Sequence, residues 1–195
     1  MSGFEIKNLA NPLYFEENVL PPHSDHKYYG SEAELASGCS SFKYSLNGLW
    51  HIHVARNLAE RPEGFEASDY DCRHWDTIAV PAHIQMEGYG KPHYTNTTYP
   101  WDGHEAIVPG ELPQENPVAS YVKYFAVPEG WQDVRISFQG AETALAVWLN
   151  GHFVGYSEDS FTPSDFDLTP YVQAGENKLA VQVFRFASGS WLEDQ

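Results

Sequence analysis

The chain has 195 residues, 42% of them hydrophobic, which is enough for one domain with a substantial core. Lys and Arg number 11 against 27 Asp and Glu, so the formal net charge is 11 − 27 = −16. A surface this acidic repels phosphate backbones and anionic lipid, so nucleic acid and membranes are poor candidate partners. A neutral ligand such as a carbohydrate is compatible with this charge.

Cysteine usage and the N-terminal sequence predict the cellular compartment. Cys39 and Cys72 allow one disulfide but do not make a disulfide-rich scaffold. The first residues carry neither the basic nor the apolar segment of a secretory signal, and no window has the length of a transmembrane helix. We therefore expect a reducing, cytoplasmic location and discount the glycosylation sequon at Asn96.

The first 45 residues show no sustained hydrophobic period and are interrupted by proline and glycine. We expect residues 1–45 to form an extended N-terminal arm on a domain spanning residues 46–195. One helical turn is predicted at residues 31–35, where Ser31 has the side chain of an N-cap.

The remainder is dominated by strand signals. Short apolar or alternating runs predict strands over residues 49–55, 75–80, 121–127, 134–138, 144–149 and 179–186. Residues 101–116 form a long irregular loop of the kind that is usually functional or disordered. Turn signals recur every 8–12 residues or so, which predicts an all-β sandwich or jelly roll.

Asn150-Gly151 is the strongest single signal, because both central residues of a type I′ turn need positive φ. It predicts a hairpin that returns through residues 153–156, followed by an aromatic and acidic segment, residues 161–168, that fixes neighbouring loops. Next, Thr169 is predicted to cap a helical turn that has Pro170 at its first position and ends at Gly175.

Metal and nucleophile signals are weak. His51 and His53 share one strand face, but no third ligand has suitable spacing, so a solvated strand face is favoured over a metal site. The sequence carries no nucleophile elbow, phosphate-binding loop or zinc-ligand pattern.

Carboxylate pairs are the remaining catalytic candidates, since a glycosidase needs two carboxyls across a sugar bond. Glu158-Asp159 and Glu193-Asp194 are sequence neighbours, which point to opposite faces of a strand. Asp165 and Asp167 share a face if extended, but turn hydrogen bonding explains them better. We favour solvated or loop-capping roles for all of these acids.

Asn96 is a different kind of candidate. Its amide offers two donors and an acceptor, which suit an array of sugar hydroxyls, and it lies among Tyr94, Tyr99 and Trp101. From these residues alone, a structural asparagine in a turn remains the favoured alternative.

Several motifs together resemble a known family. The chain carries, in this order, Leu46-Asn47-Gly48-Leu49-Trp50, Tyr94-Thr95-Asn96-Thr97-Thr98-Tyr99-Pro100, Glu115-Asn116-Pro117, Asn150-Gly151, Val154-Gly155-Tyr156, Pro163-Ser164-Asp165-Phe166-Asp167-Leu168, Ala174-Gly175-Glu176-Asn177 and Gly189-Ser190-Trp191-Leu192-Glu193-Asp194-Gln195. From about residue 46 onward it resembles the N-terminal sugar-binding domain of bacterial β-galactosidases of glycoside hydrolase family 2, the lactose-operon type.

The resemblance implies a galactose-binding-like jelly roll, followed in the family by an immunoglobulin-like domain and a TIM barrel. Two barrel glutamates there hydrolyse β-galactosides with retention, so no catalytic residue is expected in this chain. The family's first domain adds to the galactose pocket, which assigns substrate contacts to Asn96 and Thr97 and a positioning role to Glu193 and Asp194.

The resemblance also implies magnesium and sodium for the parent enzyme, with none bound by this chain. The chain departs from the family where Phe186-Ala187-Ser188 replaces the usual Trp-Ser-Asp, and it stops one residue before the family's next motif aspartate. Implied partners are the galactoside, the downstream domains and further copies of the parent chain.

Three alternatives stay open. A free-standing carbohydrate-binding module would stack sugars on exposed Trp101 or Trp191. A structural domain would make subunit contacts through its arm, and a minimal glycosidase would turn over galactosides by itself.

Overall fold

The computed structural model describes residues 3–24, 26–92 and 97–192. Their strands are β1 (Glu16–Glu17), β2 (Gly48–Ala55), β3 (Asp76–Val80), β4 (Val118–Ala126), β5 (Arg135–Phe138), β6 (Ala144–Leu149), β7 (His152–Ser157), β8 (Ser164–Asp167) and β9 (Glu176–Phe184). Helical structure is confined to α1 (Glu32–Ser37) and the one-turn 3-10 helices Ile6–Ala10, Ile84–Glu87, Thr169–Tyr171 and Ser188–Trp191.

The strands form two antiparallel sheets. Seven pair in the order β1-β7-β6-β9-β4-β2-β3, and β5 pairs with β8 in a small second sheet. Apolar side chains of the small sheet, such as Ile136 and Phe166, pack against Leu145, Val147 and Val181 of the large one. The expected all-β sandwich is confirmed.

The large sheet is covered on its other face as well. There Trp148 and Phe184 pack against Phe4 and Leu9 from the N-terminal segment and Phe65 from the connection between β2 and β3. As a result all six residues of β6 are buried. A strand covered on both sides has apolar residues in succession and not in alternation.

The predicted hairpin is confirmed between β6 and β7. Asn150 has φ 51° and Gly151 has φ 82°, the positive values that a type I′ turn requires. Asn150 also donates to the carbonyl of Tyr171 and accepts from the amide of Lys178, at 2.9 Å each. We call β6, this turn and β7 the hairpin frame.

Strand ends differ from the predicted ones where pairing decides them. β4 begins three residues earlier than expected, at Val118, and β9 spans Glu176–Phe184 where residues 179–186 were predicted. These two strands pair along their whole length, from Val118 opposite Phe184 to Ala126 opposite Glu176. Pairing partners distant in sequence therefore set both boundaries.

The predicted turn after β8 is present but differently capped. Leu168 occupies the cap position, Thr169 is the first residue of the turn, and the turn ends at Tyr171 well before Gly175. The Thr169 hydroxyl accepts from the amide of Val134 at 3.0 Å. The cap prediction for Thr169 was wrong, because that hydroxyl is engaged in a contact to the segment entering β5.

The N-terminal segment is tied to the sandwich at several points. Ser31 caps α1 as predicted, accepting from the amide of Glu34 at 3.2 Å. β1, which was not predicted, adds to the edge of β7. Phe4 is 9% exposed and Leu9 fully buried. The domain boundary between residues 45 and 46 stays a prediction.

Two features of the sequence have simple outcomes. Cys39 is exposed, Cys72 is buried, and both are free thiols. Across residues 3–24, 26–92 and 97–192, no helix combines the length and apolar composition needed to cross a bilayer.

Candidate functional site

The predicted contact residues lie at the edge of what the structure describes. Asn96, Glu193 and Asp194 fall outside the described residues. Thr97 is described and exposed, and it precedes a turn in which the Asp102 carboxylate accepts from the amide of Tyr99 at 3.0 Å. Among the residues next to these positions, the structure describes those from Thr97 onward and those up to Leu192.

Those neighbours meet in an aromatic cluster of Tyr99, Trp101, Phe186 and Trp191. The rings of Tyr99 and Trp101 are parallel at 5.2 Å, Trp191 lies 4.7 Å from Trp101, and Phe186 meets Trp101 edge-on at 5.4 Å. The Tyr99 hydroxyl donates to the carbonyl of Trp191 at 3.2 Å. We call residues 97–101 and 186–192 the site rim, since the cluster joins them.

Burial limits what this cluster can do. Trp101 is only 4% exposed, and its indole N–H meets no acceptor among the described residues. Trp191 is half-buried and donates to the carbonyl of Glu111 at 3.1 Å. The alternative of a free-standing module with a stacking platform at Trp101 is disfavoured, because Trp101 is buried against the rings of Tyr99, Phe186 and Trp191.

The loop before β4 supports the rim. One carboxylate, Glu105, accepts from the amides of Gln114 at 2.6 Å and Glu115 at 3.0 Å. Fully buried Asn116 exchanges two hydrogen bonds with the backbone of Phe186, at 2.9 and 3.0 Å. The long irregular loop is thus organised by its own polar side chains and anchored to the rim.

Glu158 connects the rim to the hairpin frame. It is 9% exposed, and its carboxylate accepts from the Tyr156 hydroxyl at 2.7 Å, the Ser188 hydroxyl at 2.9 Å and the Gly189 amide at 2.9 Å. Sequence reasoning missed this role. The available signal was the spacing of Tyr156 and Glu158, since residues i and i+2 of an extended chain share one face.

The same burial shifts two pKa values. Burial raises the pKa of the Glu158 carboxyl above its ordinary value, although hydrogen bonds from Tyr156, Gly189 and Ser188 oppose the shift. Burial, and then the nearby Glu158 carboxylate, also raises the pKa of the Tyr156 phenol. Tyr156 therefore remains a hydrogen-bond donor at neutral pH.

The other described acidic candidates divide into two kinds. Asp159 accepts from the amides of Phe161 and Thr162 at 2.9 Å, and exposed Asp167 accepts from the Thr169 amide, also at 2.9 Å. These contacts agree with the loop-capping and solvated roles that the sequence favoured. That interpretation was wrong for Asp165, because its side chain is only 13% exposed and its carboxylate lies 2.7 Å from Nε2 of His23, which belongs to the N-terminal segment.

The histidine pair does not form a metal site with its described neighbours. His51 is half-buried against the ring of Tyr124, and exposed His53 lies beside Trp75. Within the described ranges, no group of three or more His, Cys, Asp or Glu side chains could hold a metal ion. Magnesium and sodium were expected for the parent enzyme and not for this chain, and that expectation stays a prediction.

Fold and rim together define a β-sandwich domain that presents loop segments at one edge. Comparison with known families is specific: the family described as glycosyl hydrolases family 2, sugar binding domain, matches residues 43–195. The chain belongs to this family.

Curated relatives extend the similarity to the arm. A β-galactosidase of Halalkalibacterium halodurans is 56% identical over 93% of this chain and 18% of its own length. A β-galactosidase of Lactobacillus delbrueckii subsp. bulgaricus is 48% identical over 96% of this chain and 19% of its own length. A β-galactosidase large subunit of Leuconostoc lactis is 47% identical over 96% of this chain and 32% of its own length. The chain thus spans between 18% and 32% of the length of these relatives.

Solved structures agree on the fold. A β-glycosidase from Bacteroides vulgatus is 27% identical with a TM-score of 0.50, over 70% of this chain and 16% of that protein. A family 2 glycosyl hydrolase from Bacteroides cellulosilyticus has a TM-score of 0.52 at 22% identity, over 73% of this chain and 17% of that protein, and shows the fold alone.

Proposed function

We propose that this chain is the non-catalytic sugar-binding domain of a retaining β-galactosidase that hydrolyses terminal β-D-galactosides such as lactose. In this proposal it supplies one side of the galactose pocket, through Asn96 and Thr97, to a downstream TIM-barrel domain. The family membership and the relatives named β-galactosidase support the assignment of the enzyme class.

One observation carries the assignment of the site. The two motif segments that the sequence singled out are almost a hundred residues apart, yet the hydrogen bond from Tyr99 to Trp191 joins their neighbours in space. Thr97 precedes this contact by two residues, and Glu193 follows it by two. The described residues next to both segments therefore belong to one aromatic cluster, which supports a shared sugar-contact region.

The proposed chemistry is recognition and not bond cleavage. An asparagine amide and a threonine hydroxyl can exchange hydrogen bonds with sugar hydroxyls, and such contacts tighten in the transition state of glycoside hydrolysis. Alone, they contribute little net free energy, so we expect weak galactose binding by the isolated chain. Magnesium, sodium and assembly into homo-oligomers are proposed for the whole enzyme only.

Replacing Asn96 with alanine in the whole protein encoded by the gene tests the contact. We expect kcat/KM for a nitrophenyl galactoside to fall about tenfold, because a transition-state hydrogen bond is lost. Asn47→Ala, which removes an exposed amide directly before β2, is the matched control and should leave kcat/KM unchanged. Equal kcat/KM for Asn96→Ala and the unmodified protein would remove Asn96 from the pocket.

The isolated chain separates the alternatives. Purified chain should show no turnover of a chromogenic galactoside, whereas activity that persists through purification would establish a minimal glycosidase. Calorimetry with galactose and lactose should show weak binding, and tight binding would favour a free-standing module. Self-association of the chain in size-exclusion chromatography would favour a domain for subunit contact.

A further inference from the structure

Glu158 is a buried acidic residue, and the proposed function assigns it no role in sugar binding. Its side chain lies just beyond β7, its residue is 9% exposed, and its backbone amide donates to the carbonyl of Phe15 at 2.9 Å. A buried carboxylate is costly unless donors surround it. Its partners therefore indicate what it holds in place.

On one side the carboxylate is fixed to the hairpin frame. The Tyr156 hydroxyl donates to Oε1 at 2.7 Å, and Tyr156 itself has no exposed surface. The rings of Phe4 and Tyr14 stack against Tyr156 with centroids at 5.0 and 5.2 Å. Tyr156, buried between these rings, fixes the position of the Glu158 carboxylate.

On the other side the carboxylate holds the turn Ser188–Trp191. Both the Ser188 hydroxyl and the Gly189 amide donate to Oε2 at 2.9 Å. The turn then closes on itself, with the Leu192 amide donating to the carbonyl of Gly189 at 2.8 Å. Gly189 fits closely, because an added Cβ would lie 3.2 Å from Oε2 of Glu158.

The far end of this turn carries the contact to the other rim segment. The carbonyl of Trp191 accepts from Tyr99, and its indole donates to Glu111. A continuous path of hydrogen bonds thus runs from Tyr156 through Glu158 and the turn to Tyr99. Along this path, Glu158 supplies the only acceptor oxygens between the frame and the turn that the described residues show.

We infer that Glu158 is a positioning residue that fixes the Ser188–Trp191 turn on the hairpin frame. It thereby sets the position of the two segments of the site rim, residues 97–101 and 186–192, relative to each other. This role deepens the proposed function and rests on it. Ser188 supplies a donor at the start of this turn, and the carboxylate that accepts from it comes from Glu158.

The first test measures the turn directly in the 195-residue chain. Glu158→Gln keeps the shape but leaves one oxygen for three donors, so amide exchange at Gly189 and Leu192 should accelerate about tenfold, while β9 amides keep their protection. Asp159→Asn is the matched control, because among the described residues the Asp159 carboxylate accepts hydrogen bonds from Phe161 and Thr162 of its own loop. Unchanged exchange at Gly189 and Leu192 in Glu158→Gln would overturn the inference.

Ser188→Ala provides a second variant that leaves the Tyr156 contact intact. It should accelerate exchange at Gly189 by a smaller factor than Glu158→Gln does. If Glu158→Gln fails to fold, Ser188→Ala decides: acceleration confined to the turn supports the inference, and protection equal to that of the unmodified chain overturns it.

The second test separates positioning from simple stabilisation, using kcat/KM for a galactoside in the whole protein. If Glu158 acts through the sugar contacts, Glu158→Gln lowers kcat/KM about tenfold in the unmodified background and much less in the Asn96→Ala background. Additive losses would assign it a merely structural role and overturn the inference. If the unmodified protein does not cleave galactosides, the proposed function fails, while the exchange result still reports on the turn.

Discussion

The hairpin frame and the site rim are held by different forces. The frame is covered by apolar side chains on both faces, and each of its strands pairs along its length with a neighbour. The rim consists of two loop segments joined by ring contacts and by a few hydrogen bonds, among them those of Tyr99 and Glu158.

This difference separates stability from placement. Burial of apolar surface dominates folding free energy, whereas a single hydrogen bond contributes about 0.5–1.5 kcal/mol net. Substitutions in the frame should therefore unfold the domain. Substitutions in the rim should leave it folded and displace the segments that carry the proposed sugar contacts.

The largest effect is expected for Phe184→Ala. Phe184 has no exposed surface and packs in the core that Phe4 covers, so its removal leaves a cavity costing about 3–5 kcal/mol. Urea denaturation would measure the loss. Phe161→Ala, at a side chain that is 87% exposed, is the control and should change the free energy of unfolding by less than about 0.5 kcal/mol. Equal effects would contradict the burial described for the core.

Gly155→Ala should follow in size. An added Cβ would lie 2.5 Å from the ring of Phe166 and 2.6 Å from the carbonyl oxygen of Glu17, so β1 or β8 must move. We expect a loss of about 1–3 kcal/mol in thermal or urea unfolding. In Gly140→Ala the nearest atom is 3.6 Å away, and stability should be nearly unchanged. If Gly155→Ala left the free energy of unfolding unchanged, the space around Gly155 would be larger than the structure shows.

Glu158→Gln should have a smaller effect on stability, and the size of this effect should depend on pH. Because the pKa of Glu158 is raised in the folded protein, its contribution to stability is greatest below the ordinary carboxyl value of 4.5 and is lost as pH rises through the folded value. Urea unfolding between about pH 4 and about pH 8 should show the advantage of the unmodified chain over the variant decreasing.

Asp167→Asn is the opposite-sign control for this profile. Hydrogen bonds from the side chain and backbone of Thr169 lower the pKa of Asp167. Its contribution is therefore present above the ordinary value of 3.8 and is lost as pH falls through the folded value. If the stability difference between the unmodified chain and each variant changed with pH in the same direction for both variants, the burial of Glu158 would be contradicted.

Tyr99→Phe should have the smallest effect on stability. It removes the hydroxyl that bonds Trp191 and keeps the ring on Trp101, so we expect a loss below about 1 kcal/mol. Faster amide exchange at Leu192 with little change in thermal midpoint would confirm that Tyr99 acts on the rim. Tyr44→Phe, at a residue that is 52% exposed, serves as control. A loss of stability comparable to that of Phe184→Ala would show that Tyr99 supports the hydrophobic core and not only the rim.

Local signals made the frame predictable. The Asn150-Gly151 turn and strand β6 follow from nearby residues, because φ preference and short apolar runs act within a few positions. The starts of β4 and β9 were missed by three residues each, since each start is set by a pairing partner at least fifty residues away in the chain. β1 could not be predicted from its own sequence, because Glu16 and Glu17 form a strand only by pairing with the edge of β7.

The site was predictable only in part. Motif resemblance pointed to the segments around Asn96 and Glu193, and the structure joins their neighbours, Tyr99 and Trp191. The solvated or loop-capping role favoured for Glu158 was wrong, because the residue is buried and its donors Ser188 and Gly189 lie about thirty residues away in sequence. Burial of a charged side chain is decided by such distant partners, which spacing along the chain does not reveal.

The N-terminal segment has a consequence for how this domain can be shortened. The family match begins at residue 43, yet Phe4 and Leu9 fill the core and β1 covers the outer edge of β7. A chain shortened to the matched segment, residues 43–195, would expose the apolar surface that Phe4 and Leu9 cover and the edge of β7 that β1 covers. Exposed apolar surface and unpaired strand edges both promote self-association. The length needed for a well-behaved domain is therefore greater than the length that the family has in common.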